Sequence, residues 1–186
     1  MAFREKEIEL EGERVSLRSV RLSDATKEYV SWMNNKEITQ YLESRFRKYR
    51  AGDLRLYIKK MRSNPLVHFF AIIRKDTQKH IGNIKLGPID TYHSVADIGI
   101  MIGDKQSWGK GFATEAILLI ASFAFEKLKL HKISAGSYAN NIGSIKSFLK
   151  AGFAEEGRRR AHARFKSSYV DLVLLAKWNE KYNHKN

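Results

Sequence analysis

Hydrophobic and polar residues follow two repeating patterns along the chain, and these patterns predict its elements. Short segments of alternating or continuous apolar residues, bounded by Gly, Pro or polar clusters, are typical of β-strands. Three successive segments joined by short links, Val67–Arg74, His80–Leu86 and Val95–Ile102, predict an antiparallel meander. The predicted strands are Arg14–Val20, Val67–Arg74, His80–Leu86, Val95–Ile102, Lys132–Tyr138, Phe153–Ala161 and Tyr169–Lys177.

Other segments carry apolar residues at spacings of three and four, which indicates helices. Ser23 is predicted to cap the first of them. The predicted helices are Asp24–Asn34, a short piece at Glu37–Leu42, Asp53–Arg62, Phe112–Leu128 and Gly143–Lys150. Phe112–Leu128 is apolar on nearly all faces, so we expect it to be buried against the sheet.

The element order is therefore β-α-α-β-β-β-α-β-α-β-β, with the short helical piece added to the first pair of helices. This order predicts an α/β (α+β) fold with a mixed, mostly antiparallel sheet of about seven strands flanked by helices. Neither a repeat nor a break in composition interrupts the sequence, so we expect one domain over residues 1–186, with its core at about 12–178.

Composition narrows the classes of function. The absence of cysteine excludes disulfides, thiolate metal sites and a covalent cysteine mechanism. No apolar run is long enough to span a membrane and the N-terminus lacks a secretory signal, so we expect a cytoplasmic protein. The net charge of +14 favours anionic partners or a solubilising surface. No nucleic-acid-binding module accompanies the basic clusters, which argues against nucleic acid as the partner.

A glycine-rich loop follows the predicted strand Val95–Ile102 and opens the helix Phe112–Leu128. Glycines at a strand-to-helix junction let backbone N–H groups converge on a phosphate, and Lys110 adds a positive charge. The spacing excludes a P-loop, and Thr114 stands where a dinucleotide fingerprint needs its third Gly or Ala. The sequence therefore predicts a site for a phosphorylated ligand, although a turn that binds nothing is also compatible with this loop.

Two motifs in this order resemble the GNAT N-acetyltransferases. Gln106-x-x-Gly109-x-Gly111 is similar to the loop that binds the pyrophosphate of acetyl-CoA in that family. The segment Asn141–Phe153 resembles the Asn-x-x-Ser…Lys-x-Gly-Phe element of its ribosomal-protein N-terminal acetyltransferase-like branch. The resemblance extends over Gly12–Lys177 and implies an acetyl-CoA-dependent N-acetyltransferase. In such an enzyme a primary amine attacks the thioester directly, in a ternary complex.

The resemblance also assigns a role to each part of the donor site. Backbone N–H groups of the strand Ile98–Ile102 would hold the pantetheine arm and polarise the thioester carbonyl. An opening beside this strand, where it separates from the segment leading to Tyr138, would admit the thioester. The residues expected to bind acetyl-CoA are Ile100, Met101, Ile102, Gln106, Gly109, Lys110, Gly111, Phe112, Ala113, Asn141 and Ser144.

Two residues are candidates for catalysis. Asp97 stands in an otherwise apolar strand and could accept the proton of the amine, which is mostly an ammonium at neutral pH. Ser144 could protonate the leaving thiol, because Phe148 stands where the wider family often has a general-acid Tyr. Both have a structural alternative: Asp97 as a strand-end hydrogen-bond acceptor, and Ser144 as an ordinary residue of a first helical turn.

The acceptor is the least defined part of the prediction. Tyr138, His93 and Arg160 are candidates to contact it. A nucleotide-linked amino sugar suits the basic excess. A protein N-terminus, or a non-catalytic module that binds CoA or RNA, is the alternative. The six histidines, His184 among them, lack the spacing of a metal site, so we expect no metal. An exposed edge strand near the C-terminus could pair two copies into a homodimer.

Overall fold

An open eight-stranded sheet forms the centre of the structure, a computed structural model in which residues 7–181 are described. Its strands lie in the order β1-β2-β3-β4-β5-β6-β8-β7. The β5–β6 pair is parallel, and the other neighbouring pairs are antiparallel. The strands are β1 (Glu9–Glu11), β2 (Val15–Ser19), β3 (His68–Arg74), β4 (Lys79–Asp90), β5 (Val95–Ile102), β6 (Lys132–Tyr138), β7 (Ala154–Phe165) and β8 (Ser168–Trp178).

Helices cover both faces of this sheet. They are α1 (Lys27–Asn34), α2 (Lys36–Thr39), α3 (Ala51–Arg62), α4 (Phe112–Ser122) and α5 (Ile142–Lys150). One hydrophobic core lies between the sheet and the pair α4 and α5, and a second lies between the sheet and the pair α1 and α3. α4 packs one face against the sheet, as predicted, through Phe112, Ala116, Ile117, Ile120 and Ala121, but it leaves Leu118 exposed.

The predicted fold class is confirmed, and the structure adds one strand to the predicted seven. β1 is three residues long and pairs with β2 through Glu9 and Arg18, Leu10 and Leu17, and Glu11 and Ser16. A strand this short contains too few positions to show an alternation, so the sequence pattern did not reveal it.

The predicted end of the strand His80–Leu86 is wrong. β4 continues to Asp90, and its register with β5 shifts between Leu86 and Ile89. Pro88 lies in that bulge, where its missing N–H removes no hydrogen bond from the ladder. The strand resumes at Ile89, whose N–H donates to the carbonyl of Leu66 at 2.8 Å.

Two predicted helix ends also differ from the structure. α1 begins at Lys27 because Thr26, not Ser23, caps it by accepting the N–H of Tyr29 at 3.2 Å. Asp24, predicted to start this helix, instead accepts two hydrogen bonds from the guanidinium of Arg18. At its C-terminal end α4 passes into a π-helical turn over Phe123–Lys127.

Candidate active site

A cavity of 460 Å³ lies beside the C-terminal end of β5 and the start of α4. Its lining comes from four parts of the chain, which are far apart in sequence. The first part is the segment 37–42, which begins in α2 and continues beyond it, and the second is the end of β5. The third part is the glycine-rich loop with the first turn of α4, and the fourth is one face of α5. The predicted cofactor residues in its wall are Ile100, Met101, Ile102, Gly109, Gly111, Phe112, Ala113, Asn141 and Ser144.

The cavity lies next to a gap in the sheet. β5 and β6 pair over three positions, from Val95 and Lys132 to Asp97 and Ser134. Beyond these positions the two strands, both within the described part of the chain, are no longer paired. The structure therefore contains the opening that the family resemblance implied.

The backbone of β5 turns alternate residues toward this gap. The N–H of Gly103 donates to the carbonyl of Ile81 at 2.9 Å, on the β4 side. The carbonyl of Ile102 accepts instead from the indole N–H of Trp108 at 2.9 Å. Because both backbone groups of a strand residue point to the same neighbour and alternate along the strand, Ile98 and Ile100 share the side of Ile102. Their N–H and C=O groups face the gap.

The glycine-rich loop turns sharply before α4. Gly109 and Gly111 have φ angles of +71° and +85°, which other residues rarely adopt. Gly111 is the N-cap of α4, and the first turn of any helix has N–H groups without an intrahelical partner. Since this turn lines the cavity at Phe112 and Ala113, its N–H groups and dipole suit an anion there.

Two predicted loop residues lie outside the cavity wall. Gln106 is exposed in a 3₁₀ turn, and its N–H donates to Asp104 at 3.2 Å. Lys110 is also exposed, and its carbonyl accepts from the guanidinium of Arg14 at 2.9 Å. Their contacts with acetyl-CoA stay predictions, whereas Ser107 and Trp108, which the sequence reasoning missed, line the cavity.

Glu115 fixes the start of α4 to β2. Its carboxylate accepts the N–H groups of Arg14 at 2.7 Å and Val15 at 3.1 Å, and it pairs with the Arg14 guanidinium at 3.1 Å. Burial favours a higher pKa for Glu115, but these hydrogen bonds outweigh it and hold the pKa below its usual value. Arg14 therefore ties the glycine-rich loop to the start of β2.

The α5 wall begins at Asn141, whose side chain caps the helix by accepting the N–H of Ser144 at 3.3 Å. Ser144 is half-buried and lines the cavity. Phe148, one helical turn after Ser144, does not line the cavity; it is 2% exposed and packs against Phe153. Three further residues of the cavity face escaped the sequence reasoning, although their spacing of three and four after Gly143 could have revealed them. They are Lys146, Ser147 and Lys150.

Asp97 lies where β5 and β6 are still paired. Its carboxylate accepts the hydroxyl of Ser134 at 2.5 Å, and its side chain is exposed. It does not line the cavity, so the structure does not bring Asp97 and Ser144 into one wall. The catalytic role of Asp97 stays a prediction, and the hydrogen bond with Ser134 matches its structural alternative.

Two residues predicted to bind the acceptor lie away from the cavity. His93 is in the turn before β5, and that strand of eight residues, roughly 25 Å long, separates it from the cavity. Arg160 is 83% exposed on the edge strand β7 and pairs with Asp171 at 3.1 Å. Arg160 also lies within a shift of the β7–β8 register between Arg159 and Ala163, where the regular alternation of side chains is interrupted.

Tyr138 lies close to the cavity but behind its wall. It is 6% exposed, and the cavity-lining Tyr41 packs edge-on against it, with ring centroids 6.2 Å apart. Its hydroxyl donates to Glu43. Burial and this carboxylate raise the pKa of Tyr138, and the nearby Arg45 opposes them only in part. The sequence predicted a short helical piece at Glu37–Leu42, but none of its residues was assigned to the site.

Within residues 7–181, no group of three or more His, Asp or Glu side chains is arranged to hold a metal ion. His184 lies outside the described residues. In the same range, no helix is both long and apolar enough to cross a bilayer.

Comparisons with known proteins agree with the geometry of this site. Residues 14–154 match the family described as acetyltransferase (GNAT) domain. An uncharacterized N-acetyltransferase, p20 of Bacillus licheniformis, is 30% identical over 172 residues, which cover 91% of this chain and 96% of that protein.

Two solved structures share the fold. Spermidine N-acetyltransferase from Vibrio cholerae, in complex with CoA and spermine, has a TM-score of 0.80 at 24% identity, covering 92% of this chain and 99% of that one. Ribosomal-protein-S5-alanine acetyltransferase from Vibrio fischeri has a TM-score of 0.73 at 22% identity, covering 95% of this chain and 99% of that one. With the family match over most of its length, and a strand gap beside a glycine loop that suits acetyl-CoA, the chain belongs to the GNAT family of N-acetyltransferases.

Proposed function

We propose that this N-acetyltransferase acetylates the primary amine of a small anionic acceptor, a nucleotide-linked amino sugar. The observation that carries the proposal is the cavity, which joins the glycine loop to a second wall at Glu37–Leu42. One end suits the phosphates of acetyl-CoA, and the other leaves room for a small acceptor. Acetyl-CoA supplies the activated acetyl group.

In this proposal the protein binds and orients the thioester. The N–H groups of the first turn of α4 hold the pyrophosphate, and Asn141, whose side-chain oxygen already caps α5, offers its amide N–H groups to the pantetheine. The backbone N–H of Ile100 faces the gap and is the candidate for polarising the carbonyl. Ser144, in the same wall, is the candidate donor of a proton to the leaving thiol.

Basic residues lie beside the acceptor wall, together with the acids Glu37 and Glu43, and they support an anionic group on an acceptor that also carries an ammonium. Arg45 donates to the carbonyl of Leu42 at 2.8 Å and to that of Arg164 at 3.3 Å, so the Arg45 side chain and the backbone of the exposed Arg164 lie next to the wall. Tyr41 in that wall stacks on Phe165, whose neighbour Lys166 adds a third positive charge. With a net charge of +14, the chain attracts a phosphorylated acceptor and repels a polycation.

One observation favours a second candidate, the N-terminus of a protein. Phe46 is 75% exposed just beyond the acceptor wall, and the guanidinium of Arg45 lies 4.2 Å from its ring centroid. An exposed aromatic side chain of this kind suits a peptide that docks across the mouth of the cavity.

Thiol release from acetyl-CoA tests the proposal, with nucleotide-linked amino sugars, free amino sugars, polyamines and N-terminal peptides as acceptors. We expect turnover with the nucleotide-linked sugars. We expect Arg164→Glu to raise the KM for that acceptor about tenfold, or about 1.4 kcal/mol, without changing the KM for acetyl-CoA. Arg55→Glu, an equal charge change on the exposed face of α3, is the control. Turnover with peptides alone would instead establish the second candidate.

A further inference from the structure

A carboxylate and a phenol meet on the acceptor side of the strand gap. Glu43 follows the wall residues Tyr41 and Leu42, in a 3₁₀ turn over Glu43–Phe46. Its Oε1 accepts the hydroxyl of Tyr138, the last residue of β6, 95 positions later in the chain. The contact therefore joins the acceptor wall to the end of a strand that borders the gap.

The strand register places Tyr138 across the gap from the cavity. Asp97 and Ser134 are the last paired residues of β5 and β6, and Met101 and Tyr138 are the residues four positions further along each strand. Met101 lines the cavity. Tyr138 thus lies level with the cavity and on the opposite border of the gap.

Side-chain alternation also fixes the face of the sheet. The contact between Ser134 and Asp97 shows that these two side chains share a face, and Tyr138 and Met101, an even number of residues away, share it too. Met101 packs against the core formed by α1 and α3. Ile98, Ile100 and Ile102, by contrast, contact the core beneath α4. The Glu43–Tyr138 pair therefore lies on the face opposite the glycine loop, so that a donor on one face and an amine on the other would meet at the gap.

The surroundings of Glu43 hold it in place while keeping it accessible. Tyr138 binds one oxygen, and the Arg45 guanidinium is 3.5 Å away. Within residues 7–181, Tyr138 and Arg45 are the titratable and charged side chains in contact with Glu43. Its side chain is nevertheless 77% exposed, whereas that of Arg45 is 17% exposed. A carboxylate that is fixed at one oxygen and open at the other can receive a cation.

We propose that Glu43 accepts a proton from the acceptor's ammonium group, and that Tyr138 positions the Glu43 carboxylate. This inference rests on the proposed function. The ammonium gives one proton to Glu43, and its nitrogen lone pair then forms the C–N bond as the C–S bond breaks. The second nitrogen proton leaves as the amide forms, and by way of water or the Ser144 hydroxyl it balances the proton that the departing thiolate takes up. Glu43 returns its proton to water.

The test compares pH profiles of thiol release for the wild type, Glu43→Gln, Asp97→Asn and the exposed control Glu28→Gln. For Glu43→Gln we expect kcat to fall about 100-fold at pH 7. The loss should shrink as pH approaches the pKa of the acceptor's own amine, because the free amine then no longer needs a base. Glu43→Asp should restore part of the activity, and the acetyl-CoA affinity should stay unchanged.

Tyr138→Phe should give a smaller loss with the same pH dependence, since it removes the hydroxyl that orients the carboxylate. A loss in Glu43→Gln that is equal at every pH, or less than about threefold at pH 7, would overturn the proposal and indicate a structural contact. A pH-dependent loss in Asp97→Asn alone would assign the proton to Asp97 and overturn it as well. Failure of the wild type with every amine would overturn the proposed function itself, a distinct result.

Discussion

Replacing Glu115 tests whether α4 and its loop depend on one carboxylate. Its side chain is 15% exposed and accepts the N–H groups of Arg14 and Val15, besides pairing with the Arg14 side chain. Glu115→Ala would leave two N–H groups at the start of β2 without their acceptor. It would also release the guanidinium that holds the carbonyl of Lys110.

The size of the effect follows from these contacts. Hydrogen bonds to a charged group contribute about 1.5–3 kcal/mol each, and water entering the truncated site recovers part of two such bonds. The ion pair adds little, about 0–1 kcal/mol, because the Arg14 side chain is 49% exposed. We therefore expect Glu115→Ala to lower the free energy of unfolding by about 3 kcal/mol. For a domain of this size that is a fall in Tm of about 6–12 °C.

Urea unfolding and thermal unfolding measure this change, with Glu126→Ala as the control. Glu126 is an exposed acid in the π-helical turn after α4, and its loss should stay within about 0.5 kcal/mol. Titration calorimetry should also show weaker acetyl-CoA binding in Glu115→Ala, since Arg14 no longer holds the loop. A change in unfolding free energy below 1 kcal/mol would refute the argument that this carboxylate anchors the helix.

The pH dependence gives an independent check with Glu115→Gln. The pKa of Glu115 is lower in the folded chain than its usual 4.5, so the folded state favours the ionised form. Its contribution to stability is therefore complete above about pH 4.5 and is lost as pH falls through the lower, folded-state pKa. The stability difference between wild type and Glu115→Gln should be constant near neutral pH and shrink in acid.

Backbone geometry and packing give two further predictions. Gly111→Ala should weaken acetyl-CoA binding more than Gly109→Ala, as measured by calorimetry. Both residues have positive φ, but a Cβ at Gly111 would lie 3.1 Å from the Arg14 guanidinium, whereas a Cβ at Gly109 would meet open space. Equal effects of the two substitutions would contradict this prediction. Gly103→Ala should lower stability by about 3 kcal/mol or more in urea unfolding, because its Cβ would lie 2.1 Å from the ring of Trp32; a change under 1 kcal/mol would contradict that.

The sequence patterns predicted those strands correctly whose apolar residues form one uninterrupted run. The strands Val95–Ile102 and Lys132–Tyr138 have the predicted bounds, because long apolar runs ended by loops leave little choice of boundary. The patterns did not predict the end of a strand where that end depends on pairing with a strand elsewhere in the chain. β4 runs through Gly87-Pro88 since a bulge against β5 accommodates both residues, and this partner strand is not visible in the local sequence.

The candidate site shows the same division. The glycine loop and Asn141 carry local motifs, and both line the cavity. The acceptor side consists of residues brought together by the fold, such as Tyr41 with the carbonyl of Asn140, 99 positions away. Chemistry assigned from residue type alone selected His93, which the topology places at the other end of its strand. Pairings of this kind depend on strand order and register, which no local pattern specifies.

The short parallel seam between β5 and β6 divides the sheet into two plates, β1–β5 and β6–β8, joined by three residue pairs and by the helices beneath them. Past the seam, the edge of β5 offers peptide groups spaced like those of a strand awaiting its neighbour. The amides of a pantetheine arm can supply the hydrogen-bonding groups that a neighbouring strand would supply. In the proposed binding mode the pantetheine arm would pair with β5 as a temporary strand, and the gap would open again when CoA leaves.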